Sequence, residues 1–171
     1  MTIESTILTA EKFEEKDGMD LAQKLSSDPK AIKDFIESYF DGNNRFQQRA
    51  SWVLVALAQK YEACLLPHLE RMIDASLQTK KDGIQRNMLR TFQYLSIPEQ
   101  FQEAMINHCF DILTDRNKPI AIQVFAMTVL NKLIEPYPEL SRELCLILEE
   151  NLPHASAGYR SRAKTILHKK A

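Results

Sequence analysis

Phe46-Gln47-Gln48-Arg49-Ala50-Ser51-Trp52-Val53-Leu54 is the stretch that decides the fold, because its skeleton returns three times further along the chain. Ile84, Gln85, Met88 and Phe92 repeat Phe46, Gln47, Ala50 and Leu54 after 38 residues; Ile122, Gln123, Ala126 and Leu130 follow after another 38, and Tyr159, Arg160, Ala163 and Leu167 after 37 more. In each copy the apolar members fall at i, i+4 and i+8, a stripe along one side of a helix that has to be covered.

Between these copies runs a second stripe stepping by four: Leu65, Leu69, Ile73 and Leu77; Phe101, Met105, Cys109 and Leu113; Leu140, Leu144, Leu148 and Leu152. Ile32, Ile36 and Phe40 form a shorter, earlier version. The two patterns together predict four helix pairs, with first helices near 29–40, 65–77, 98–115 and 138–152 and second helices near 44–62, 83–97, 118–135 and 156–170.

The punctuation agrees. Ser27-Asp28-Pro29 reads as a cap followed by proline in a first helical turn; Asp41-Gly42-Asn43-Asn44 and Lys81-Asp82-Gly83 break the chain within pairs, and Pro136-Tyr137-Pro138 separates the third pair from the fourth. With 4 Gly in all, and with Pro29, Pro98, Pro119, Pro138 and Pro153 standing where helices could begin, the backbone favours helices joined by short connections. Sustained period-two alternation is absent, so no sheet is proposed. The expected class is all-α: about four helix pairs stacked so that each covers its neighbour's apolar stripe, a solenoid with one continuous core.

A length of 171 residues suits one domain. Residues 19–171 are expected to form that helical-repeat domain. Residues 1–18, with Glu11, Glu14, Glu15 and Asp17 among scattered apolar residues, are expected to be a flexible N-terminal segment, and their composition is compatible with fraying or with capping the first pair. The net charge of −1 gives no global attraction to nucleic acid or to an anionic membrane. The longest apolar run, Trp52 to Ala58, is far short of the roughly 20 residues that cross a bilayer, so no membrane association is expected. The start lacks the basic-then-apolar order of a secretory signal, and three cysteines cannot all pair within one chain, so a reducing cytoplasm is the expected location.

The pattern resembles the HEAT repeat of the HEAT/armadillo class, whose second helix follows an Asp-containing turn and reads Val-Arg, then Ala, then Leu at these spacings. Asp41, five residues before Phe46, sits where that turn residue belongs. The resemblance covers roughly residues 29–171 and implies a right-handed α-α superhelix. Two departures stand out: Gln47, Gln85 and Gln123 take the slot that usually holds Arg, and the turn Asp keeps its offset only in the first pair. The stretches Arg49 to Leu54 and Leu146 to Asn151 are also similar to a small bacterial family, some of whose members carry the label adenylosuccinate lyase. The chain has nothing like the lyase signature loop of Ser-Ser, then Met-Pro, then Lys and Asn, and it is far shorter than that enzyme.

Charge divides by helix. Counted over the boundaries above, the first helices total −8, and the second helices, taking the last to residue 171, total +10. Equivalent helices of a solenoid share a face. The resemblance puts the second helices on the concave side and so implies a basic inner surface built from Arg45, Arg49, Arg86, Arg90, Arg160, Arg162 and Lys164. These seven are the candidate binding face, with an acidic protein segment as the expected partner and a nucleic-acid phosphate backbone as the alternative. Some DNA-repair glycosylases resemble this architecture, but Trp52, Phe92 and Phe125 fall near core-facing positions rather than where bases could stack.

Other chemistry finds little support. Cys64 and His68 with His108 and Cys109 suggest a zinc set only on paper, since adjacent helical residues point about 100° apart and Cys109 belongs to the apolar stripe. Glu99 with Glu103, and Asp111 with Asp115, are four apart as solvated helix faces often are. No glycine-rich phosphate loop, His-Glu-x-x-His helix or Gly-x-Ser-x-Gly turn occurs. No catalytic residue, metal ligand or cofactor is assigned, and the expected function is a non-catalytic protein-interaction or scaffold module.

Overall fold

The computed structural model describes residues 3–170, without the side chain of Lys170. Met1, Thr2 and Ala171, at the outer ends of the segments 1–18 and 19–171, lie outside the described residues, as does the Lys170 side chain counted in the charge of the last helix. Among the described residues all regular structure is helical, and the chain divides after Leu95 into two compact units.

The first unit holds α1 (Ile3–Thr9), α2 (Glu15–Leu25), α3 (Pro29–Asp41), α4 (Asn44–Lys60), α5 (Leu69–Gln78) and α6 (Asp82–Phe92). Local chemistry fixes several of the starts. The Asp28 carboxylate accepts from the N–H groups of Lys30 and Ala31, both at 3.0 Å, and Pro29 then opens α3 where a missing N–H costs nothing. Asn43 caps α4 by accepting from the Phe46 N–H at 2.9 Å. The Glu14 N–H donates to Asp17 at 2.8 Å ahead of α2.

α4 is the spine of this unit, in contact with α1, α2, α3 and α6. Ten of its residues are buried, from Phe46 through Ala58. α2 comes so near that a Cβ on Gly18 would lie 2.6 Å from the Trp52 Cβ and 2.8 Å from its backbone carbon, so only glycine fits there. On the other side α6 lies along α4 in repeat register: the Arg90 guanidinium sits 4.2 Å over the Trp52 ring, and these two residues occupy equivalent positions 38 apart.

Residues 3–25, partly within the stretch where acidic composition suggested a loose segment, thus contain two helices, with Ile7, Ala22 and Leu25 buried. The helix expected from residue 65 starts instead at Leu69. Two single 3-10 turns, Glu62–Cys64 and Leu66–His68, precede it, with Pro67 interrupting the hydrogen-bond ladder, although Leu65 is buried as the stripe required.

The second unit holds α7 (Glu99–Thr114), α8 (Ile120–Leu133), α9 (Pro138–Asn151) and α10 (Ala157–Lys170), with a 3-10 turn at Leu152–His154. Its core is the pair of stripes read from the sequence: Met105, Cys109 and Leu113 of α7, Ile122, Ala126 and Leu130 of α8, Leu144 and Leu148 of α9, and Tyr159 and Ala163 of α10 are all buried. Each large apolar side chain so covered contributes about 1.5–3 kcal/mol. α8 packs against α7, α9 and α10. The second helices α4, α6, α8 and α10 begin at 44, 82, 120 and 157, which preserves the repeat length of 38, 38 and 37.

Candidate functional site

Three buried glutamines stand where the resembling family has Arg. Gln47, Gln85 and Gln123 are 4, 3 and 8% exposed, which removes them from any binding face. Gln47 Nε2 donates to the Tyr39 carbonyl at 3.1 Å, and Gln123 Nε2 to the Lys118 carbonyl at 2.7 Å. Gln47 reaches back across the turn to the last turn of α3, and Gln123 reaches into the connection just before α8; each satisfies a carbonyl there. Gln47 thereby ties α4 to α3, and Gln123 ties α8 to the connection before it; a neutral amide does this without a buried charge.

Four of the seven candidate cations lie in the first unit, and they have different fates. Arg49 turns toward α1: its Nη1 donates to the carbonyls of Ile7 (3.0 Å), Leu8 (3.4 Å) and Ala10 (2.7 Å), and its Nη2 to that of Glu11 (3.2 Å). α1 has no basic residue in its last turn, and Arg49 supplies that charge from another helix. Arg90, half-buried on Trp52, has its pKa lowered first by burial, with Tyr94 and Glu15 opposing. These two arginines hold the unit together.

Arg86 lies at the edge of a polar network. Asn87 is 2% exposed; its Nδ2 donates to the Tyr39 hydroxyl at 3.0 Å and to the Gln47 carbonyl at 3.2 Å, and its Oδ1 accepts from Arg86 Nε and Nη2 at 3.4 Å each. Burial pushes the Tyr39 phenol up to about 12, against the lowering effects of the Asn87 hydrogen bond and the Arg86 charge. Arg86 also lines, with Lys81, Asn44 and Gln48, a groove of about 420 Å³ beside the N-termini of α4 and α6. Asp82 is the acidic member of that lining. Arg45, next to Asn44, is exposed.

In the second unit the three remaining cations lie along α10. Arg160 is exposed and donates through Nη2 to the Ala155 carbonyl at 2.7 Å; Arg162 is half-buried and Lys164 exposed. Within the first unit, then, the structure brings Arg45 and Arg86 to neighbouring helix starts, directs Arg49 and Arg90 into the packing, and gathers Arg160, Arg162 and Lys164 on one helix of the second.

The thiols and imidazoles do not converge. Cys109 is fully buried and its pKa is raised by that burial; Cys64 donates to the Tyr61 carbonyl; Cys145 is half-buried. Among the described residues no three His, Cys, Asp or Glu side chains lie close enough to hold a metal ion, and no helix is long and apolar enough to cross a membrane.

One feature escaped the sequence reading. Glu99, Glu103 and Asp111, together with Phe110, border an open groove of about 560 Å³ that Tyr137 and Glu143 complete. The four α7 positions recur at helical spacing, a signal available in the sequence, but Tyr137 and Glu143 come from α9 and its approach and are joined to them only by folding.

A family model described as HEAT repeat domain matches residues 8–170, nearly the whole chain and including α2. Comparison with curated proteins and with solved structures gives no match.

Proposed function

The chain belongs to the HEAT repeat family, and on that premise we propose that it is a non-catalytic interaction module whose exposed cations receive an acidic segment of another protein. At the starts of α4 and α6, Arg45, Lys81 and Arg86 form no ion pair among the described residues, and Lys81 and Arg86 line a groove there. The start of α6 has no side-chain cap, so its open N–H groups and the positive end of its dipole add to the charge of Lys81 and Arg86, which outnumber Asp82 in the lining. Carboxylates fit that setting. Arg160, Arg162 and Lys164 of α10 offer a second cationic patch of the same kind within the other unit. Three unpaired cysteines are consistent with a cytoplasmic setting.

Arg49 and Arg90 drop out of the contact because their guanidinium groups are engaged by the fold. A near-neutral chain also has little to offer a nucleic acid at a distance. The test is fluorescence anisotropy of the full chain with a short Asp/Glu-rich peptide and, separately, with duplex DNA, at low and at physiological salt. The peptide is expected to bind, and Arg45→Glu with Arg86→Glu to weaken it by about tenfold or more. Tighter binding of DNA, falling steeply with salt, would replace the proposed partner by a phosphate backbone. Unchanged peptide affinity in the double variant would remove the reading.

A further inference from the structure

The groove on α7 has the opposite character from the surface just proposed, and the inference from it does not rest on that proposal. Its carboxylates come from Glu99, Glu103 and Asp111 of α7 and from Glu143 of α9, and no lysine, arginine or histidine lines it. None of the four is in an ion pair among the described residues, and Arg116 pairs with Glu150 outside the groove. The apolar part of the lining comes from Ile106, Phe110, Leu140 and Tyr137, and Gln102 and Asn107 are its neutral polar members.

Tyr137 is the feature that gives the groove a shape rather than only a charge. Flanked by Pro136 and Pro138, it is held in extended backbone at φ −119° and ψ 91°, because a residue before proline is driven out of the helical region. Its N–H donates to the Ile134 carbonyl at 2.9 Å and its carbonyl accepts from the Ser141 N–H at 3.0 Å, so the backbone is tied on both sides. Yet the residue is 41% exposed. A fixed, uncovered aromatic beside four carboxylates that stand in no ion pair is an arrangement that a cation with an apolar stem satisfies on both counts. The aromatic face attracts the charge, the carboxylates neutralise it, and the methylene stem covers Ile106 and Leu140. A concave low-dielectric wall focuses the field of four like charges more strongly than a convex surface does.

A metal ion is the wrong occupant, since no three of these or other described acidic groups converge. The volume of about 560 Å³ falls within the range of roughly 300–1,000 Å³ typical of ligand-sized clefts. We propose that the groove between α7 and the start of α9 docks a lysine- and arginine-rich segment of a partner protein, with at least one cationic side chain laid against Tyr137 and Phe110.

The experiment uses the full chain and a fluorescein-labelled Arg/Lys-rich peptide, with spermine as a competitor that carries charge but no peptide backbone or guanidinium. Three variants are compared: Glu103→Lys with Glu143→Lys in the groove, Glu135→Lys with Glu149→Lys outside it at the same change in net charge, and Tyr137→Ala at no change in charge. Circular dichroism melts establish that each is folded. The groove reversal is expected to weaken peptide binding by about tenfold or more, Tyr137→Ala by about threefold, and the control reversal by much less than the groove pair. Equal losses in the two charge-reversed variants, no loss in Tyr137→Ala, or displacement of the peptide by an equal charge concentration of spermine would overturn the proposal. So would concentration-dependent self-association that the groove variant abolishes, which would make the occupant a second copy of this chain. Should the groove reversal fail to fold, Glu103→Gln with Glu143→Gln decides on the same scale.

Discussion

Arg49 of the first unit and Arg162 of the second occupy the same place in the repeat, each three residues after the leading member of its copy, Phe46 and Tyr159. Arg49 is enclosed by four carbonyls at the end of α1 and in the stretch that follows, whereas Arg162 makes no hydrogen bond or ion pair among the described residues. The intervening copies put Asn87 and Phe125 at that position. One slot of the repeat therefore serves as a cap, as the hub of a buried polar network, or as a surface position, according to what the neighbouring helix presents to it. In the first unit that neighbour is α1, whose last-turn carbonyls have no cation of their own. A helical repeat fixes where a side chain starts and leaves its chemistry to the adjacent element.

Perturbing the contacts that set the first unit apart is the direct way to break this contrast. The largest effect is expected at Gly18, where α2 meets α4. Gly18→Ala would force a methyl group against the backbone of Trp52, which cannot rotate away, and should cost about 3 kcal/mol of stability even after the gain in helix propensity. Gly83→Ala, where nothing lies within 4 Å, should instead stabilise by about 0.5 kcal/mol. Urea unfolding of the two variants beside the parent checks both signs, and a neutral Gly18→Ala would mean that α2 does not sit as closely as described.

Next comes the equivalent pair itself. Arg49→Ala strips the cap from α1 and should cost about 2 kcal/mol, because hydrogen bonds from a charged donor to several carbonyls are lost together. Arg162→Ala should stay within about 0.5 kcal/mol of the parent, as surface changes generally do. Hydrogen exchange adds location: amides of α1 should lose protection in Arg49→Ala, and those of α4 should lose less.

A smaller loss is expected from the third use of that slot. Tyr39→Phe removes the acceptor for Asn87 Nδ2 but leaves its bond to the Gln47 carbonyl, so about 1 kcal/mol should be lost. Asn87→Leu removes the hub, leaves the Tyr39 hydroxyl buried without this partner, and should cost more than Tyr39→Phe. If the two cost the same, the network is not carried by Asn87.

The periodicity of 38 residues made the four pairs legible, and the burial of Phe46, Met88, Ala126 and Ala163 follows it. The N-terminal pair was illegible for two physical reasons. α2 begins 29 residues before α4, which breaks the period, and its closest contact is made by a glycine rather than by an apolar side chain that a periodicity argument could register. The surroundings of the arginines were only half legible. Counting charges along a helix treats every Arg as pointing to water, but whether Arg49 meets carbonyls and Arg90 meets an indole ring depends on helices far away in sequence. The acidic groove was not legible: Glu99 and Glu103 stood out only as a pair four apart of the kind a solvated helix face carries, and the groove's character comes from Tyr137, which no helical spacing joins to them.

The smallest effect separates the units by pH, through one histidine in each. His108 on α7 is half-buried, and its pKa is lowered first by that burial and then by the charge of Lys118, against a raising effect of Asp111. His68, before α5, is shifted the same way by burial and Arg71, with Glu37 opposing. A histidine whose folded pKa lies below its unfolded value holds fewer protons when folded, so stability rises with pH in that window. As pH falls through the unfolded value of about 6.5 toward the lowered folded one, the unfolded chain takes up a proton that the folded chain still refuses, and stability is lost. Replacing His108 by Gln should flatten the pH dependence of unfolding between about pH 7 and 5.5, above the range where carboxylates titrate. His68→Gln should flatten it less, because the more exposed imidazole keeps more of its hydration. If His68→Gln has the larger effect, burial is not what lowers these two pKa values, and Arg71, as the leading charge on His68, becomes the controlling group.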